Sequence, residues 1–290
     1  MAVSGNASAM TDEKTIVELA AWLQTAPGRH LLQWESERLD AAVADIFGFH
    51  ALQLGMPELA GLRANRMPHR WLGLEQHEAD QAQADPAVAL LCDFDALPFA
   101  SSSLDLVLLP HTLEFAPDPH HMLREVERVL RPEGRVVITG LNPASAWGLR
   151  QNLGHLVGRL PLRQTAPYLP SVGEFIGYWR LRDWLRLLSF DVEAADFGLY
   201  APPLRSEKWL RRWDWIEPVG RHWWPVLGAV YFIVAVKRVH GMRLIELKRA
   251  RKTRVKARAA VALSQRGASA LPASAPIAHS NSPTSKETCA

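Results

Sequence analysis

The pattern of hydrophobic and polar residues alternates between two periods along most of the chain. Short apolar runs, typical of buried strands, are separated by longer segments in which apolar residues recur every three or four positions, as in an amphipathic helix. This alternation of strands and helices predicts a parallel sheet with crossover helices on both faces. We expect the strands at His50–Leu54, Trp71–Leu74, Val88–Leu91, Leu104–Leu109, Arg135–Thr139, Phe190–Glu193 and Val230–Val236.

The clearest helix is predicted at Pro119–Leu130, where the apolar residues fall on one face and the charged residues on the other. The next four residues are Arg131-Pro132-Glu133-Gly134. Proline cannot continue a helix and glycine permits a reversal, so we expect a tight turn before the next strand. Other helices are predicted at Ile16–Leu23, Leu39–Phe47 and Glu174–Leu188.

Charge is distributed unevenly over the 290 residues. The 33 Lys and Arg nearly balance the 30 Asp and Glu, yet twelve of the basic residues and only two of the acids lie at or beyond Lys237. We therefore expect a helical lead at 1–48, an α/β domain at 49–239 and a basic, largely disordered tail at 240–290. The stretch 237–258 predicts weak, salt-sensitive contact with nucleic acid; the alternative is a tail that only aids solubility.

Three further features concern the compartment. The two cysteines, Cys92 and Cys289, lie far apart in sequence, which predicts neither a disulfide framework nor a cysteine zinc cluster. The N-terminus lacks the basic and apolar pattern of a secretion signal. The longest apolar stretch, Trp223–Val236, is interrupted by a proline and a glycine and is shorter than the roughly 20 residues of a membrane-spanning helix. We expect a cytoplasmic protein with no membrane span.

A dense motif extends from Asp93 to Ile138. It contains Asp93-Phe94-Asp95, Leu97-Pro98-Phe99, a polar turn, Leu104-Asp105-Leu106-Val107 and Arg128-Val129-Leu130-Arg131-Pro132-Glu133-Gly134. This sequence resembles the class I S-adenosylmethionine-dependent methyltransferases of the type-11 group. Those proteins have an acid after strand three, then Leu-Pro-Phe, a polar turn and a strand that begins Phe-Asp-Leu-Val. Leu104 stands here in place of that phenylalanine.

The resemblance implies a Rossmann-like class I methyltransferase fold, with a seven-stranded, mostly parallel sheet of order 3-2-1-4-5-7-6 whose last strand is antiparallel. It also implies S-adenosyl-L-methionine as the cofactor, bound outside the carboxyl ends of the strands. Asp93 would accept a hydrogen bond from the adenine amino group, and Phe94 would lie against the ring or offer its backbone N–H. The alternative is that Asp93 only caps a turn. Asp105 would brace the sheet.

The loop after the first strand departs from the family pattern. The family's Asp-x-Gly-x-Gly-x-Gly is replaced by Gln53-Leu54-Gly55-Met56-Pro57-Glu58. Gly55 matches the first glycine, whereas Pro57 fixes φ and removes a backbone donor. The next strand leads to Glu75, 20 residues after Gly55. A carboxylate there could bind both ribose hydroxyls or simply face solvent at a strand end.

Histidines could contribute in two places. Pro110-His111 follows the fourth strand, where the family faces the sulfonium and the methyl acceptor. His111 could orient or deprotonate an acceptor, because an unperturbed imidazole titrates near 6.5, or it could bond to nearby backbone and pack. His120 and His121 are neighbours on a helix and point about 100° apart, so we predict no metal site there.

Together these features predict a methyltransferase that transfers a methyl group from S-adenosyl-L-methionine to an unidentified acceptor. Gly55, Glu75, Asp93, Phe94 and His111 are its predicted cofactor-binding residues. A Trp-rich segment at about 200–224 would cover a substrate pocket or another subunit. The altered loop favours an alternative, a methyltransferase fold that has lost its cofactor and serves as a binding or scaffold protein, contacting nucleic acid through its tail.

Overall fold

The structure is a computed structural model that describes residues 19–75, 88–158, 168–169, 175–204, 206–213 and 215–238. These residues belong to the first of two compact units, Met1–Arg243; the second unit, Leu244–Ala290, lies outside the described residues, as does the predicted basic tail. The described strands are β1 (His50–Leu54), β2 (His69–Leu74), β3 (Val88–Leu91), β4 (Leu104–Pro110), β5 (Leu130–Leu141), β6 (Phe190–Gly198) and β7 (Val230–Lys237). The described helices are α1 (Ala26–Val43), α2 (Thr112–Phe115), α3 (Pro119–Val129), α4 (Ala146–Gly158), α5 (Tyr178–Leu187), α6 (Glu207–Arg212) and α7 (Ile216–Trp223).

The seven strands form one sheet of order β3-β2-β1-β4-β5-β7-β6. Strands β1 to β5 pair in parallel, and β7 is antiparallel to both β5 and β6. The predicted strand order and the antiparallel last strand are confirmed. Because β1 to β4 run in the same direction, the residues that follow each of them emerge at one side of the sheet, which we call the carboxyl edge.

Both faces of the central strands are buried, which explains why these strands are continuous apolar runs instead of alternating ones. One face carries Leu52 and Ile138 and belongs to a core that includes residues of α3 and α5. The opposite face carries Ala51 and Leu108 and belongs to a core that includes residues of α1. Helices therefore cover both faces, as predicted.

The N-terminal helix α1 differs from its prediction in its bounds. It was expected at Leu39–Phe47, but it begins at Ala26 and ends at Val43. The start is set by Thr25, whose side chain caps the helix by accepting from the N–H of Gly28 at 3.4 Å. Of the helix predicted at Ile16–Leu23, residues 19–23 are helical and the rest lie outside the described residues.

Two later elements also differ from the sequence predictions. The tight turn expected at Arg131–Gly134 is instead a bulge inside β5, because Leu130 already pairs with Leu104 and the ladder resumes at Arg135. The helix expected at Glu174–Leu188 begins only at Tyr178, since the preceding Gly177 has extended backbone and glycine is a poor helix former.

The turn after β1 is built around the buried side chain of Gln53. Its amide nitrogen donates to the carbonyls of Gly55, Met56 and Leu59 at 3.2, 3.0 and 2.7 Å, and its oxygen accepts from the N–H of Gly61 at 3.0 Å. A carboxylate can only accept hydrogen bonds. The acid that the family has at this position could not hold three carbonyls, so Gln53 and the altered loop form one structural unit.

The amino end of β4 is braced by Asp105, as the family resemblance implied. Its Oδ2 accepts from the N–H groups of Phe49 and His50 at 2.8 and 3.0 Å, and its Oδ1 accepts from Arg131 at 3.0 Å. Burial would raise the pKa of Asp105, but these backbone and arginine donors lower it below its ordinary 3.8. Asp105 thus joins the start of β1 to β4 and is confirmed as a structural acid.

The connection from β6 to β7 lies at the carboxyl edge. The last residue of β6, Gly198, and the last residue of β5, Leu141, both pair with Val230, the first residue of β7. The connection therefore starts and ends beside the carboxyl end of β5. It contains α6 and α7 and exposes the indoles of Trp209, Trp215, Trp223 and Trp224.

Replacing Asp105 with alanine is expected to lower the free energy of unfolding by about 2 kcal/mol, because two backbone N–H groups and Arg131 lose a charged acceptor. Since the folded-state pKa is lowered, this contribution is present above the unfolded pKa of 3.8 and is lost as pH falls through the folded value. Urea denaturation of wild type and D105A between pH 7 and acid pH measures both effects. The control is Glu193→Gln, which weakens the partly exposed ion pairs with Arg135 and Arg238 and should change stability by less than about 0.5 kcal/mol.

Replacing Gln53 with glutamate is expected to destabilise the fold by about 3 kcal/mol, because the carbonyl oxygens would face a carboxyl group in place of the two N–H donors that the amide shares among them. The loss should grow as pH rises and the buried glutamate ionises. Denaturant titration at two pH values measures it, with the exposed Gln24→Glu as the matched control. Equal stability of Q53E and wild type would contradict the role of Gln53 as the centre of the turn.

Candidate functional site

The topology of the sheet brings the predicted site positions to the carboxyl edge, with Phe94 directly after Asp93. Glu75 directly follows β2, Gly55 follows β1 and His111 follows β4, while Asp93 comes two residues after β3. Backbone hydrogen bonds extend the sheet beyond the strands: the N–H of Gly55 donates to the carbonyl of Gly73 at 2.9 Å, and the N–H of Cys92 donates to the carbonyl of Leu74 at 3.0 Å. The strand ends are therefore held at fixed spacing.

Two acids, Glu75 and Asp93, follow the adjacent strands β2 and β3 at this edge. Burial raises the pKa of the Cys92 thiol to about 11, and the negative charges of Glu75 and Asp93 add to that rise. Both acids are thus close enough to Cys92 for their charges to act on its thiol. Asp93 is exposed, and its Oδ1 accepts from the N–H of Asp95 at 2.9 Å. Asp93 therefore caps a turn, and its carboxylate still has acceptor positions for a second donor.

Gly55 lies between the ring of Phe94 and the side chain of Thr112. A Cβ atom added to Gly55 would be 3.5 Å from Thr112 Oγ1 and 3.9 Å from Phe94 Cε2, and the residue has a left-handed φ of 73° that favours glycine. The Phe94 ring is only 5% exposed and belongs to the core. Phe94 thus presents little surface at the edge. Because Gly55 has no side chain, the space beside its backbone, between Thr112 and Phe94, is left open.

The side chain of His111 is buried between two carboxylates. Its Nε2 is 2.8 Å from Glu35 Oε1 on α1, and its Nδ1 is 3.0 Å from Glu114 Oε2 on α2. Burial would lower the pKa of His111, but the charges of Glu35 and Glu114 outweigh it and raise the pKa to about 10. Both ring nitrogens are engaged, so the imidazole offers neither of them to an acceptor. Of the two sequence-based interpretations, the packed one fits this geometry, with carboxylates as the partners instead of backbone.

Sequence reasoning missed Glu35 and Glu114 as partners of His111. One signal was present for Glu35, which lies four residues after Leu31 and four before Leu39 on a helix. All three side chains are buried on the same face of α1. An acid on an apolar stripe is a sign of a buried charge partner, although the sequence does not say which residue that partner is.

The residues at the carboxyl edge fit the adenosine part of the expected cofactor better than its amino-acid part. Glu75 and Asp93 supply acceptors for hydroxyl and amino donors, which suits an adenosine group. The turn after β1 suits the amino-acid part less well, because Pro57 has no N–H and the carbonyls of Gly55 and Met56 are bonded to Gln53.

In the described part of the chain, no group of three or more His, Cys, Asp or Glu is arranged to hold a metal ion. None of the described helices is long and apolar enough to span a bilayer.

Comparison with known proteins gives consistent results. A family model described as a methyltransferase domain matches residues 63–138, a range that includes Glu75, Asp93 and His111 but starts after the Gln53 turn. The chain is 31% identical over 239 residues to the uncharacterized protein YafS of Escherichia coli (strain K12), covering 82% of this chain and 89% of that protein. It is 27% identical over 197 residues to the glycine/sarcosine/dimethylglycine N-methyltransferase of Actinopolyspora halophila, covering 67% of this chain and 31% of that protein.

A solved structure shares the fold. A chain from the complex of the Haloferax volcanii Trm112 methyltransferase activator superposes with a TM-score of 0.50 at 18% identity, covering 77% of this chain and 97% of that chain. The strand order and the domain match at 63–138 agree with it. The chain therefore belongs to the class I S-adenosylmethionine-dependent methyltransferases, a family whose cofactor is S-adenosyl-L-methionine.

Proposed function

We propose that this chain binds S-adenosyl-L-methionine at its carboxyl edge and transfers the methyl group to an acceptor. The observation that carries the proposal is the pair of acids, Glu75 and Asp93, that follow the adjacent parallel strands β2 and β3 at the carboxyl edge. Ribose hydroxyls and the adenine amino group are hydrogen-bond donors, and ionised carboxylates accept from them. Glu75 would bind the ribose hydroxyls, and Asp93 the amino group.

Gly55 and Phe94 complete this proposed adenosine site. Since the Phe94 ring is packed into the core, its backbone N–H is the group we assign to the adenine ring. Gly55 would let the cofactor approach the backbone, because a side chain there would meet Thr112 and Phe94. The amino-acid part of the cofactor would need contacts other than the family's glycine-rich loop, since Pro57 provides no donor.

When bound, the cofactor would supply a methyl group on a positively charged sulfur. A lone pair of the acceptor would attack the methyl carbon in line as the carbon–sulfur bond breaks, and neutral S-adenosylhomocysteine would leave with the electron pair of that bond. The chain's own contribution would be to hold both reactants in line and to exclude water from the carboxyl edge. His111 is engaged by Glu35 and Glu114, so we assign it no role as a base. An acceptor with an available lone pair at neutral pH needs none.

The alternative function, a methyltransferase fold that binds a partner without transferring a methyl group, is favoured by one observation. The Gln53 turn is internally bonded and replaces the loop that the family uses to approach its cofactor. Such a protein would retain the sheet and Asp105 but would bind neither the cofactor nor its demethylated product. Cofactor binding therefore separates the two functions.

The surroundings of the site point to where an acceptor would bind. The segment from β6 to β7 lies at the same edge as the predicted cofactor residues, with α6 and α7 beside the carboxyl end of β5. We propose that this segment covers the acceptor. Residues 237–258 remain our prediction for weak nucleic-acid contact, and the cytoplasm remains our proposed location.

Isothermal titration with S-adenosyl-L-methionine and S-adenosylhomocysteine tests the proposal. We expect wild type to bind both, and Glu75→Gln and Asp93→Asn each to weaken binding by about tenfold or more, because each loses a charged acceptor worth about 1.5–3 kcal/mol. Unchanged circular dichroism would show that the fold is kept.

Asp95→Asn is the matched control, since Asp95 is two residues from Asp93 and its backbone N–H, not its carboxylate, contacts Asp93. Its affinity for the cofactor should stay within about twofold of wild type. If wild type shows no heat with either ligand at about 1 mM, the enzyme assignment fails and the binding protein is the better description.

A further inference from the structure

Three ionisable side chains from distant parts of the sequence meet in the interior next to the carboxyl edge. Glu35, His111 and Glu114 are 0%, 2% and 2% exposed. The two nitrogen–oxygen distances, 2.8 Å to Glu35 and 3.0 Å to Glu114, are those of direct hydrogen bonds. Glu35 and His111 are 76 residues apart in sequence, so their contact is produced by the tertiary fold.

Hydrogen bonds from His111 to two carboxylates require a proton on each nitrogen of the ring. A neutral imidazole has one donor and one acceptor nitrogen, whereas a carboxylate has only acceptors. Two carboxylates on the two nitrogens of His111 are satisfied if the ring is an imidazolium. Burial raises the pKa of Glu114 although His111 lowers it, so the charge of Glu114 is opposed by burial and favoured by the imidazolium beside it.

Each member of the group is tied to a different element. Glu35 belongs to α1, and Glu114 Oε1 accepts from the backbone N–H of Leu141 at the end of β5. His111 follows β4 with a left-handed φ of 54°, which is uncommon for a residue with a side chain. The next residue, Thr112, donates to the carbonyl of Leu54 at 2.7 Å, directly before Gly55.

We infer that Glu35, His111 and Glu114 form a buried ionic group, called the latch below, that fastens α1 to the carboxyl ends of β4 and β5. The latch also holds the side chain of Thr112 in place beside Gly55. In this arrangement Glu35 and His111 are positioning residues. The latch itself depends only on the contacts above, and its effect on the cofactor rests on the proposed function.

The latch has a defined pH direction. The titratable groups that face His111 are Glu35 from α1 and Glu114 from α2, and Tyr231 of β7 faces Glu114. Burial raises the pKa of Tyr231 well above its ordinary value, with Glu114 adding to the rise, so the phenol stays neutral. The folded pKa of His111, about 10, lies above its ordinary 6.5. The contribution of the His111 charge to stability is therefore fully present below pH 6.5 and is lost as pH rises through the folded value. The charge of Glu114, whose pKa is raised, changes in the opposite sense and is lost as pH falls.

The experiment compares wild type with Glu35→Gln, His111→Asn and the control Arg38→Gln. Asparagine adopts left-handed φ readily but cannot bridge two carboxylates, so H111N keeps the backbone and loses the charge. Arg38 lies on α1 three residues after Glu35 and pairs with Asp196 at 3.0 Å, outside the latch. If H111N does not fold, E35Q alone decides, because its amide is isosteric with the carboxylate.

Three readouts are used. Nitrogen-15 NMR of the imidazole should show a doubly protonated His111 in wild type at pH 8, and E35Q should lower its titration midpoint by about one unit or more. Amide hydrogen exchange at Leu141 and Glu114 should be about tenfold faster in E35Q and H111N and unchanged in R38Q. Affinity for S-adenosylhomocysteine should fall about tenfold in E35Q and H111N.

The outcomes are separable. A neutral His111 at pH 8, or exchange in E35Q equal to that in R38Q, would overturn the latch. If wild type binds no S-adenosylhomocysteine while the NMR and exchange results are as expected, the latch holds and the proposed function fails. If wild type binds it and E35Q binds equally well, the positioning role is refuted.

Discussion

The carboxyl edge depends on a charge that the fold buries and then pairs. An isolated ion in the interior would cost several kcal/mol, and removing one partner of a buried pair leaves the other uncompensated. Glu35, His111 and Glu114 reduce this cost because each nitrogen of the ring meets a carboxylate oxygen. These hydrogen bonds connect α1 to the residues that follow β4. Two buried polar atoms nearby, Glu35 Oε2 and Tyr231 Oη, have no hydrogen-bond partner among the described residues.

In the turn after β1, the side chain at position 53 determines whether backbone carbonyls or backbone N–H groups point toward it. An acid at position 53 would gather N–H groups toward itself, whereas the amide of Gln53 gathers the carbonyls of Gly55, Met56 and Leu59. Pro57, which has no N–H to offer, is compatible with the second arrangement. The departure from the family loop is therefore a replacement of one hydrogen-bonding scheme by another, and the carboxylates at the ends of β2 and β3 are unaffected by it.

Sequence reasoning located the strands because strands buried on both faces are uninterrupted apolar runs. It selected Glu75 and Asp93 through the family resemblance, which implies an acid after strand two and another after strand three. It misplaced the start of α1 because the Thr25 cap is a weaker signal than the apolar period. It took Pro132 and Gly134 as a turn because the same residues also suit a bulge, and only the pairing of Leu130 with Leu104 distinguishes the two. The contact of His111 with Glu35 was out of reach, since it depends on how a helix docks on a sheet.

The order of the strands places different groups of residues at the two ends of the carboxyl edge. The acidic pair lies at the β2 and β3 side, and the segment with α6 and α7 lies at the β5, β7 and β6 side. His111 follows β4, between them. At this point of the edge Glu35, His111 and Glu114 lie beneath the surface. A positive sulfonium there would meet no exposed positive charge from His111, because the ring is enclosed by Glu35 and Glu114. Enclosure by two carboxylates would thus reduce the repulsion between the His111 charge and a cofactor bound at this edge.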